Sequence, residues 1–285
     1  MKWYPAPGKL NLFLHVLGQR EAGEHAGYHE LQTVFRLVDR ADRVGIGPRE
    51  DGEVRFSGVY GDDNLCFRAA HLLKECTGAT KGADISLEKV LPVGGGMGGG
   101  SSDAATCLLA LNRLWGLKLP LATLERIGLA LGADVPFFLR GHNAWVEGIG
   151  DIITPVELPP GCFAVVKPPE GLDTRDIFSA EDLHRATPPA IISGFAAHSE
   201  SHQGQIERFN FGRNDLQPVA QRLCPAVTEA IEWLGHQGLE ARMTGSGSSV
   251  FAAMPHDAEL AEAPTGWQVR KCSNLAVHPL VGWAA

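Results

Sequence analysis

The stretch LPVGGGMGGGSSDAAT, from Leu91 to Thr106, limits the fold more than any other part of the sequence, because it has six glycines in seven positions. Glycine loses more conformational entropy on folding than any other residue. A folded chain keeps such a run where a side chain would prevent a required backbone geometry or the close approach of a ligand. The stretch therefore predicts a phosphate-binding loop, a dinucleotide-binding turn or a flexible linker.

The residues around the run separate these alternatives. A linker is disfavoured because the run lies between a strand candidate, ADISLEKVLP, and a strongly amphipathic helix. The dinucleotide fingerprint G-x-G-x-x-G is matched at Gly94, Gly96 and Gly99, but a match is almost automatic in so glycine-rich a run. Pro92 also interrupts the preceding strand, and the acidic residue expected about 20 positions later is missing.

A Walker loop is excluded because Ser101 and Ser102 follow Gly100, where that motif needs a lysine. The remaining interpretation is a loop whose backbone amides, with the positive end of the next helix, surround a polyphosphate. Serine hydroxyls at the helix start can then bind phosphate oxygens or a magnesium ion.

Composition and charge restrict the partners. The 285 residues are 44% hydrophobic and 20% charged, with a net charge of −8, which argues against general binding to nucleic acid or anionic lipid. The six cysteines are far apart, and the first residues lack the apolar stretch of a signal peptide. We therefore expect reduced thiols and a cytoplasmic protein. No apolar run approaches the roughly 18 residues of a membrane-spanning helix.

Hydrophobic periodicity outlines the secondary structure. Alternating Leu10, Leu12, Leu14 and Val16 predict a half-buried strand near the N-terminus. A proline-rich segment at 152–160 is the expected domain boundary. Helices are predicted over 64–76, 101–117, 121–132, 227–238 and 257–264, strands over 136–141, 143–150 and 162–169, a strand pair over 241–254, and loops or short helices over 179–212.

The glycine run also carries a family resemblance. LPVGGGMGGGSSDAA resembles the central motif of the GHMP kinases, ATP-dependent kinases of small molecules with the pattern Pro-x(3)-Gly-x-Gly-x-Ser-Ser. PGKLNLFL and TGSGSSVFA stand on either side in the expected order and spacing. KLNLFL, GYHELQT, DNLCFRAA, LGADVPFFLRG and NDL are closer still to members that act on a cytidine-diphosphate-linked polyol.

The resemblance implies an α+β, two-domain GHMP kinase fold. Residues 1–155 would form an ATP-binding domain with the amide-lined glycine loop and the catalytic base. Residues 156–285 would form a ferredoxin-like α/β sandwich that contributes to the substrate site. The implied cofactors are ATP and Mg²⁺, the implied partner is the small-molecule substrate, and the implied state is a monomer or weak homodimer without nucleic acid or membrane.

Two residues are candidates for catalysis. Phosphoryl transfer to an alcohol needs a group that takes the hydroxyl proton and positive charge near the reacting oxygens. Asp134 follows a helix predicted to end at Gly132, and Pro136 favours an extended Val135, so we expect Asp134 at a rigid helix-to-strand corner. An ordinary turn aspartate is the alternative. The resemblance implies that Asp134 is the general base and that Lys9, otherwise a solvated strand end, pairs with it.

The resemblance also implies a set of nucleotide contacts. Those at the adenine would come from the first helix and the strand before the glycine loop, and those at the phosphates from the loop itself. No protein side chain is assigned to the metal, which would bind through ATP. The predicted ATP-binding residues are Asn64, Leu65, Lys89, Pro92, Gly94, Gly95, Gly96, Gly98, Gly99, Gly100, Ser101 and Ser102.

Substrate contacts complete the predicted site. The resemblance implies that the Tyr28 ring stacks on cytosine, that His29 hydrogen-bonds its edge, and that Phe178 closes the other face. A buried core phenylalanine is the alternative for Phe178, and a simple hairpin turn is the alternative for the second glycine loop. The remaining predicted substrate residues are Asn11, Thr174, Ser246 and Gly247, of which the last two would close over the transferred phosphate or the substrate diphosphate.

Two features depart from the family pattern. Asp103 stands where the pattern has a small or neutral residue, and it would repel phosphate unless it points away or helps to hold magnesium. The segment EAGEHA lengthens the substrate loop before Tyr28. Other functions stay open: another GHMP kinase acting on homoserine, mevalonate or a sugar, the decarboxylase branch of the superfamily, or a non-catalytic nucleotide-binding module. The aromatic pair Tyr28 and Phe178 favours a base-containing substrate.

Overall fold

Two β-sheets organise the computed structural model, which describes residues 1–23, 26–58, 61–195 and 211–284. In the first sheet the strand order is β3-β4-β2-β5-β6, with β1 paired antiparallel to β2. The strands are β1 (Lys2–Gln19), β2 (His29–Arg49), β3 (Val54–Ser57), β4 (Gly82–Glu88), β5 (Ala144–Gly148) and β6 (Ile152–Pro155).

The long first hairpin positions the candidate catalytic lysine. The predicted strand is confirmed, but it is buried on both faces from Ala6 to Val16 and not half-buried. Its register against β2 shifts three times, between Pro7 and Lys9, between Asn11 and Leu14, and between Val16 and Gly18. Such irregularities bend a strand and redirect its side chains. Lys9 and Asn11 lie two residues apart between shifts, so both side chains leave the same face of β1.

Four helices cover the first sheet: α1 (Leu65–Thr77), α2 (Gly99–Leu114), α3 (Leu121–Leu129) and α4 (Val135–Arg140). Asn64 caps α1, with its Oδ1 accepting from the Cys66 amide at 2.9 Å, and Gly78 ends it in the left-handed conformation. The middle of α2 is buried on nearly all sides, because it packs between the sheet and the neighbouring helices. This packing fixes the direction in which the start of α2 points.

The second sheet is antiparallel with the order β10-β7-β9-β8. Counted along the chain this is 4-1-3-2, the arrangement of the ferredoxin-like sandwich that the sequence predicts. The sheets separate between Pro155 and Cys162, and a domain division at residue 155 stays a prediction. The elements are β7 (Cys162–Lys167), α5 (Thr174–Ser179), α6 (Gln217–Leu223), α7 (Pro225–Gly235), β8 (Ala241–Met243), β9 (Val250–Met254) and β10 (Gln268–Ser273).

The strand predicted over 136–141 is wrong, because these residues form most of α4. Pro136 lies in the first turn of this helix, where its missing N–H costs no hydrogen bond. Val135, Phe137 and Phe138 are all buried in the core of the first half. A short apolar run fits a strand and a buried helix equally well, and here the packing on α2 and α3 decides. Asp134 consequently lies at a junction between helices and not at a helix-to-strand corner.

The helix predicted over 257–264 is also absent, since this segment has turns and irregular structure. Most of its side chains are exposed, and a helix of this length is marginal without tertiary packing. Part of the predicted loop region 179–212 lies outside the described residues. All six cysteines are free. None of the helices in the described ranges is long and apolar enough to cross a membrane.

Candidate active site

One large cavity, with a volume of about 1310 Å³, brings together distant parts of the sequence. Its walls come from β1, β2, the glycine run, the junction before α4, helix α5 and the loop between β8 and β9. Residues from both sheets line this cavity, and they include every predicted site residue except one. These residues are Lys9, Asn11, Tyr28, His29, Asn64, Leu65, Lys89, Pro92, Gly94, Gly95, Gly96, Gly98, Gly99, Gly100, Ser101, Asp134, Thr174, Phe178, Ser246 and Gly247.

Ser102 is the predicted residue that the structure does not bring to the cavity. Its side chain is fully buried, and its hydroxyl donates to the Pro7 carbonyl oxygen at 2.6 Å. The two adjacent serines therefore differ: Ser101 lines the cavity, whereas Ser102 fastens the start of α2 to β1. A helix turns by about 100° per residue, so consecutive side chains cannot share a face.

Lys9 and Asp134 form an ion pair inside the cavity. Lys9 Nζ lies 3.6 Å from Asp134 Oδ2 and donates to Asn11 Oδ1 at 2.5 Å. Lys9 is only 4% exposed, and its ammonium also lies 4.7 Å from the centre of the Phe35 ring. Burial lowers the pKa of Lys9, while the Asp134 carboxylate opposes the shift. The side chain of Asp134 is 30% exposed, so it is more accessible to solvent than Lys9, although both residues line the cavity.

The start of α2 presents backbone donors to the cavity. The first hydrogen bond into this helix runs from the Ser102 amide to the Gly98 carbonyl at 2.9 Å. The amides of Gly99, Gly100 and Ser101 thus have no acceptor within the helix. Because an α-helix carries a partial positive charge at its N-terminus, these amides form a site for an anion such as phosphate.

The two glycine loops of the chain touch backbone to backbone. A Cβ on Gly96 would lie 2.1 Å from the Thr244 carbonyl oxygen, and one on Gly245 would lie 2.7 Å from the Gly96 oxygen. Gly96 also has a positive φ of 71°. Thr174 and Ser246 add a hydroxyl contact of 2.7 Å between α5 and the second loop. Part of the glycine content therefore serves the contact between loops and not only the approach of a ligand.

Asp103 lines the cavity, but its carboxylate is engaged by Lys89. Lys89 Nζ donates to Asp103 Oδ2 at 2.7 Å and to Asp42 Oδ2 at 2.5 Å, and both carboxylates are nearly inaccessible. The second oxygen of Asp42 accepts from the Val90 and Leu91 amides at 2.5 and 2.7 Å. Burial by itself would lower the pKa of Lys89, but Asp103 and Asp42 outweigh it and raise that pKa. This triad anchors the chain where β4 ends and the glycine loop begins.

The triad predicts a pH dependence of stability. Burial raises the pKa of Asp103 from 3.8 to about 7, although Lys89 opposes the shift. Between those values the folded state binds more protons than the unfolded state, so stability falls as the pH rises through this window. The variant Asp103→Asn removes this titration. As the pH rises through this window, the free energy of unfolding of Asp103→Asn should increase relative to that of the wild type by on the order of a few kcal/mol.

Urea unfolding at a series of pH values measures this difference. Asp257→Asn is the control, because Asp257 is exposed in the irregular segment before β10, and its curve should run parallel to that of the wild type. A constant difference between Asp103→Asn and the wild type from pH 3.8 to about 7 would contradict the protonation of Asp103 in the folded state.

Aromatic side chains gather at the other end of the predicted site. The rings of His29 and Phe178 lie 4.9 Å apart between centres, tilted by 34°. Tyr28 is 57% exposed on the cavity wall, an unusual position for a large ring in a folded protein. The backbone of the loop before Tyr28 is held to β1 by two bonds, from the Arg20 amide to Tyr28 oxygen at 2.9 Å and from the Gly27 amide to Arg20 oxygen at 2.8 Å. The exposed Tyr28 ring and the neighbouring pair of His29 and Phe178 can take up a flat ligand.

The carboxylates that line the cavity belong to Asp63, Asp103, Asp134 and Asp176. The described ranges contain no group of three or more His, Cys, Asp and Glu side chains placed to hold a metal ion. Mg²⁺ commonly keeps several waters and binds through one or two carboxylates together with substrate phosphates. The residues present therefore fit a magnesium ion that arrives with a nucleotide better than one held in a protein cage.

Sequence reasoning missed residues that hold the predicted ones in place. Asp42 lies within a strand and is fully buried, and a carboxylate at such a position was a signal that could have been followed. Thr33 accepts from Asn11 Nδ2 at 3.0 Å, and no local pattern marks it. Arg185 contacts His29 from 156 residues away along the chain, a pairing that only the fold creates.

Comparison with known families finds two matches. Residues 64–142 match the GHMP kinases N terminal domain, and residues 195–270 match the GHMP kinases C terminal domain. The first match includes the glycine loop and Asp134. The second includes the loop between β8 and β9.

Curated relatives and solved structures agree with these matches. A 4-diphosphocytidyl-2-C-methyl-D-erythritol kinase from Variovorax paradoxus (strain S110) is 62% identical over 98% of this chain and 97% of its own length. One of the same name from Paracidovorax citrulli (strain AAC00-1) is 57% identical over 99% and 96%. The crystal structure of a 4-(cytidine 5'-diphospho)-2C-methyl-D-erythritol kinase is similar with a TM-score of 0.80 and 34% identity, over 96% of this chain and 99% of that one. L. major mevalonate kinase, 13% identical with a TM-score of 0.66 over 97% and 96%, shares the fold.

Proposed function

Since the chain belongs to the GHMP kinases and is a small-molecule kinase, we propose that it phosphorylates the 2-hydroxyl of 4-diphosphocytidyl-2-C-methyl-D-erythritol. This reaction belongs to the methylerythritol phosphate route to isoprenoid precursors. The observation that carries the proposal is the shared cavity. It holds an anion-binding helix start, a lysine–aspartate ion pair and a cluster of aromatic side chains.

Asp134 is the general base of the proposed reaction. It takes the proton of the acceptor hydroxyl as that oxygen forms its bond to the γ-phosphorus of ATP, and the bond between this phosphorus and ADP breaks, so that ADP is the leaving group. Lys9 stays within 3.6 Å of the carboxylate and is held by Asn11, so it orients Asp134 and offsets negative charge on the reacting oxygen. The absence of solvent around Lys9 strengthens this electrostatic effect.

ATP supplies the phosphoryl group and, with Mg²⁺, the charge neutralisation that phosphoryl transfer needs. The amides of Gly99, Gly100 and Ser101 hold the phosphates, and the remaining glycines of the loop allow their close approach. Asn64, Leu65 and Lys89 hold the adenine. Mg²⁺ binds chiefly through the nucleotide, since this ion commonly keeps several waters and uses substrate phosphates as ligands.

The acceptor lies at the aromatic end. Tyr28 and Phe178 enclose the cytosine and His29 bonds its edge, while Asn11 contacts the polyol and Thr174, Ser246 and Gly247 contact the diphosphate. Aromatic faces contribute strongly to the binding of a flat base and little to that of a small polar alcohol. The cluster thus favours this substrate over homoserine, mevalonate or a sugar.

The proposal also covers the location, the oligomeric state and the partners of the enzyme. It acts in the cytoplasm as a monomer or weak homodimer, on small molecules alone. A net charge of −8 supports the lack of a nucleic-acid or anionic membrane partner.

An ADP-release assay with a panel of alcohols tests the proposed substrate. We expect turnover of the cytidylyl-methylerythritol compound, and none of homoserine, mevalonate or galactose at equal concentration. If another alcohol is phosphorylated while the cytidylyl compound is not, the substrate assignment fails and the kinase assignment stands. ATP binding without turnover of any alcohol would indicate a non-catalytic module.

A further inference from the structure

Arg185 joins the two aromatic residues that line the acceptor end of the cavity. Its Nε–H donates to His29 Nε2 at 3.0 Å, and its Nη2 donates to the carbonyl oxygens of Phe178 and Ala180 at 2.9 and 2.8 Å. The His29 and Phe178 rings are themselves in contact, with their centres 4.9 Å apart. A single guanidinium therefore holds the imidazole and the backbone that carries the facing ring.

The backbone around Arg185 is fixed on both sides. Leu183 is 4% exposed and packs in the core under the second sheet. The Thr187 amide donates to the Val16 carbonyl at 3.1 Å, and its hydroxyl donates to Asp215 Oδ2 at 2.6 Å. The segment has no regular secondary structure, yet the contacts of Leu183 and Thr187 hold the backbone so that Arg185 lies next to His29.

The contact determines where His29 carries its proton. A guanidinium has five N–H donors and no acceptor, so His29 Nε2 must be the unprotonated nitrogen and Nδ1 the protonated one. Among the described residues none accepts from Nδ1, and the ring lines the cavity. Nδ1–H is thus available to a ligand.

The charges around His29 keep the ring neutral. Burial lowers the pKa of His29 below 6.5, and the positive charge of Arg185 lowers it further. Two neighbouring charges, Arg20 directly after β1 and Glu30 on β2, compensate each other in an ion pair of 3.1 Å. A proton on Nε2 would also face the Arg185 donor directly and break the contact.

We propose that Arg185 is a positioning residue for base recognition, which fixes His29 as a neutral ring with an Nδ1–H donor directed to a pyrimidine acceptor atom. The inference rests on the proposed function, because it assigns the device that reads the cytosine group. Arg185 is not among the residues that line the cavity, and it acts through His29 and Phe178.

The variant Arg185→Gln tests the effect on the acceptor. We expect the KM for the cytidylyl substrate to rise about tenfold, as the loss of one oriented hydrogen bond implies. The values of kcat and of the KM for ATP should stay near those of the wild type. Arg185→Lys should rescue only part of the loss, because an ammonium lacks the planar fork that reaches the imidazole and both carbonyls together.

The pH profile separates positioning from a general loss of structure. Removing Arg185 removes one cause of the low His29 pKa, so His29 in the variant becomes protonated at a higher pH. An imidazolium carries a proton on both ring nitrogens, so protonation restores the Nδ1–H donor that a mixture of neutral tautomers lacks. As the pH falls, the excess of the Arg185→Gln KM for the cytidylyl substrate over the wild-type KM should therefore shrink. Arg222→Gln is the matched control, because Arg222 is half exposed, pairs with Asp182 and lies outside the cavity.

A nitrogen NMR spectrum of the protein without substrate identifies the tautomer of the His29 ring. His29, identified by its loss in His29→Gln, should show an unprotonated Nε2 in the wild type and a mixture of tautomers in Arg185→Gln. A wild-type KM, pH profile and His29 spectrum in Arg185→Gln would overturn the inference. A wild type that does not turn over the cytidylyl compound would instead overturn the proposed function, and the spectrum would still decide the role of Arg185.

Discussion

Replacing Asp134 with asparagine is expected to lower kcat by about 10²–10⁴-fold, the range that a positioned general base contributes. The amide keeps the shape of the side chain but cannot take the hydroxyl proton. It also removes the one charge that opposes the effect of burial on Lys9, so the pKa of Lys9 should fall further. The glycine loop and its amides are not touched by the change.

Steady-state kinetics and nucleotide binding by calorimetry check this result together. The affinity for ATP should change by less than about threefold, since Asp134 contributes no contact to the phosphates. Asp257→Asn, an exposed aspartate outside the cavity, is the control and should keep wild-type kcat. If Asp134→Asn retains more than about half of wild-type kcat, another group takes the proton and the assignment of the base is wrong.

Replacing Gly96 with alanine is expected to damage both stability and activity. Its Cβ would lie 2.1 Å from the Thr244 carbonyl oxygen, and the backbone is in the left-handed region with φ 71°. The left-handed conformation and the overlap together should cost about 3 kcal/mol of folding stability. Since the two glycine loops must separate to admit the methyl group, kcat/KM for ATP should fall about 100-fold.

Gly116→Ala isolates the contribution of the contact. Gly116 has the same φ of 71°, but a Cβ there would meet no atom within 4 Å, and it lies outside the cavity. This control should lose only about 1 kcal/mol and keep its activity. Chemical unfolding and ATP kinetics of both variants provide the comparison. Equal losses in the two variants would show that the contact between the loops is unimportant and that backbone strain alone is responsible.

Local patterns predicted the elements that are long and strongly periodic. The strand around Lys9 and the helices after the glycine run have enough alternating or helical positions for the pattern to exclude other structures. The run around Phe137 was predicted incorrectly, because an apolar run of only five residues, Val135 to Leu139, is consistent with both periods and only packing on α2 and α3 decides between them. The segment 257–264 had helical spacing, but only Ala258 and Leu260 pack against the core of the second half, and most of its side chains are exposed.

Candidate site residues were found through motifs, and their supports were not. Lys9, Asp134 and the glycines stand in short stretches whose order along the chain is informative. Asp42 and Arg185 act on residues 47 and 156 positions away, so nothing near them in the sequence indicates their partners. Ser102 shows that a motif can also include a residue that does not reach the site. It belongs to the motif, yet the helix turns its hydroxyl toward Pro7 and away from the cavity.

The sequence by itself determined that a glycine-rich loop precedes a helix and that a lysine and an aspartate flank it in the chain, because these features are local. Tertiary structure alone decided what they do together. The bulges of β1 bring Lys9 toward Asp134, and the second glycine loop lies so close that Gly96 can carry no side chain. Asp103, which looked unsuitable beside phosphate, is held by Lys89 from another strand end. Long-range contacts of this kind depend on how sheets and helices pack, and packing is a property of the whole chain.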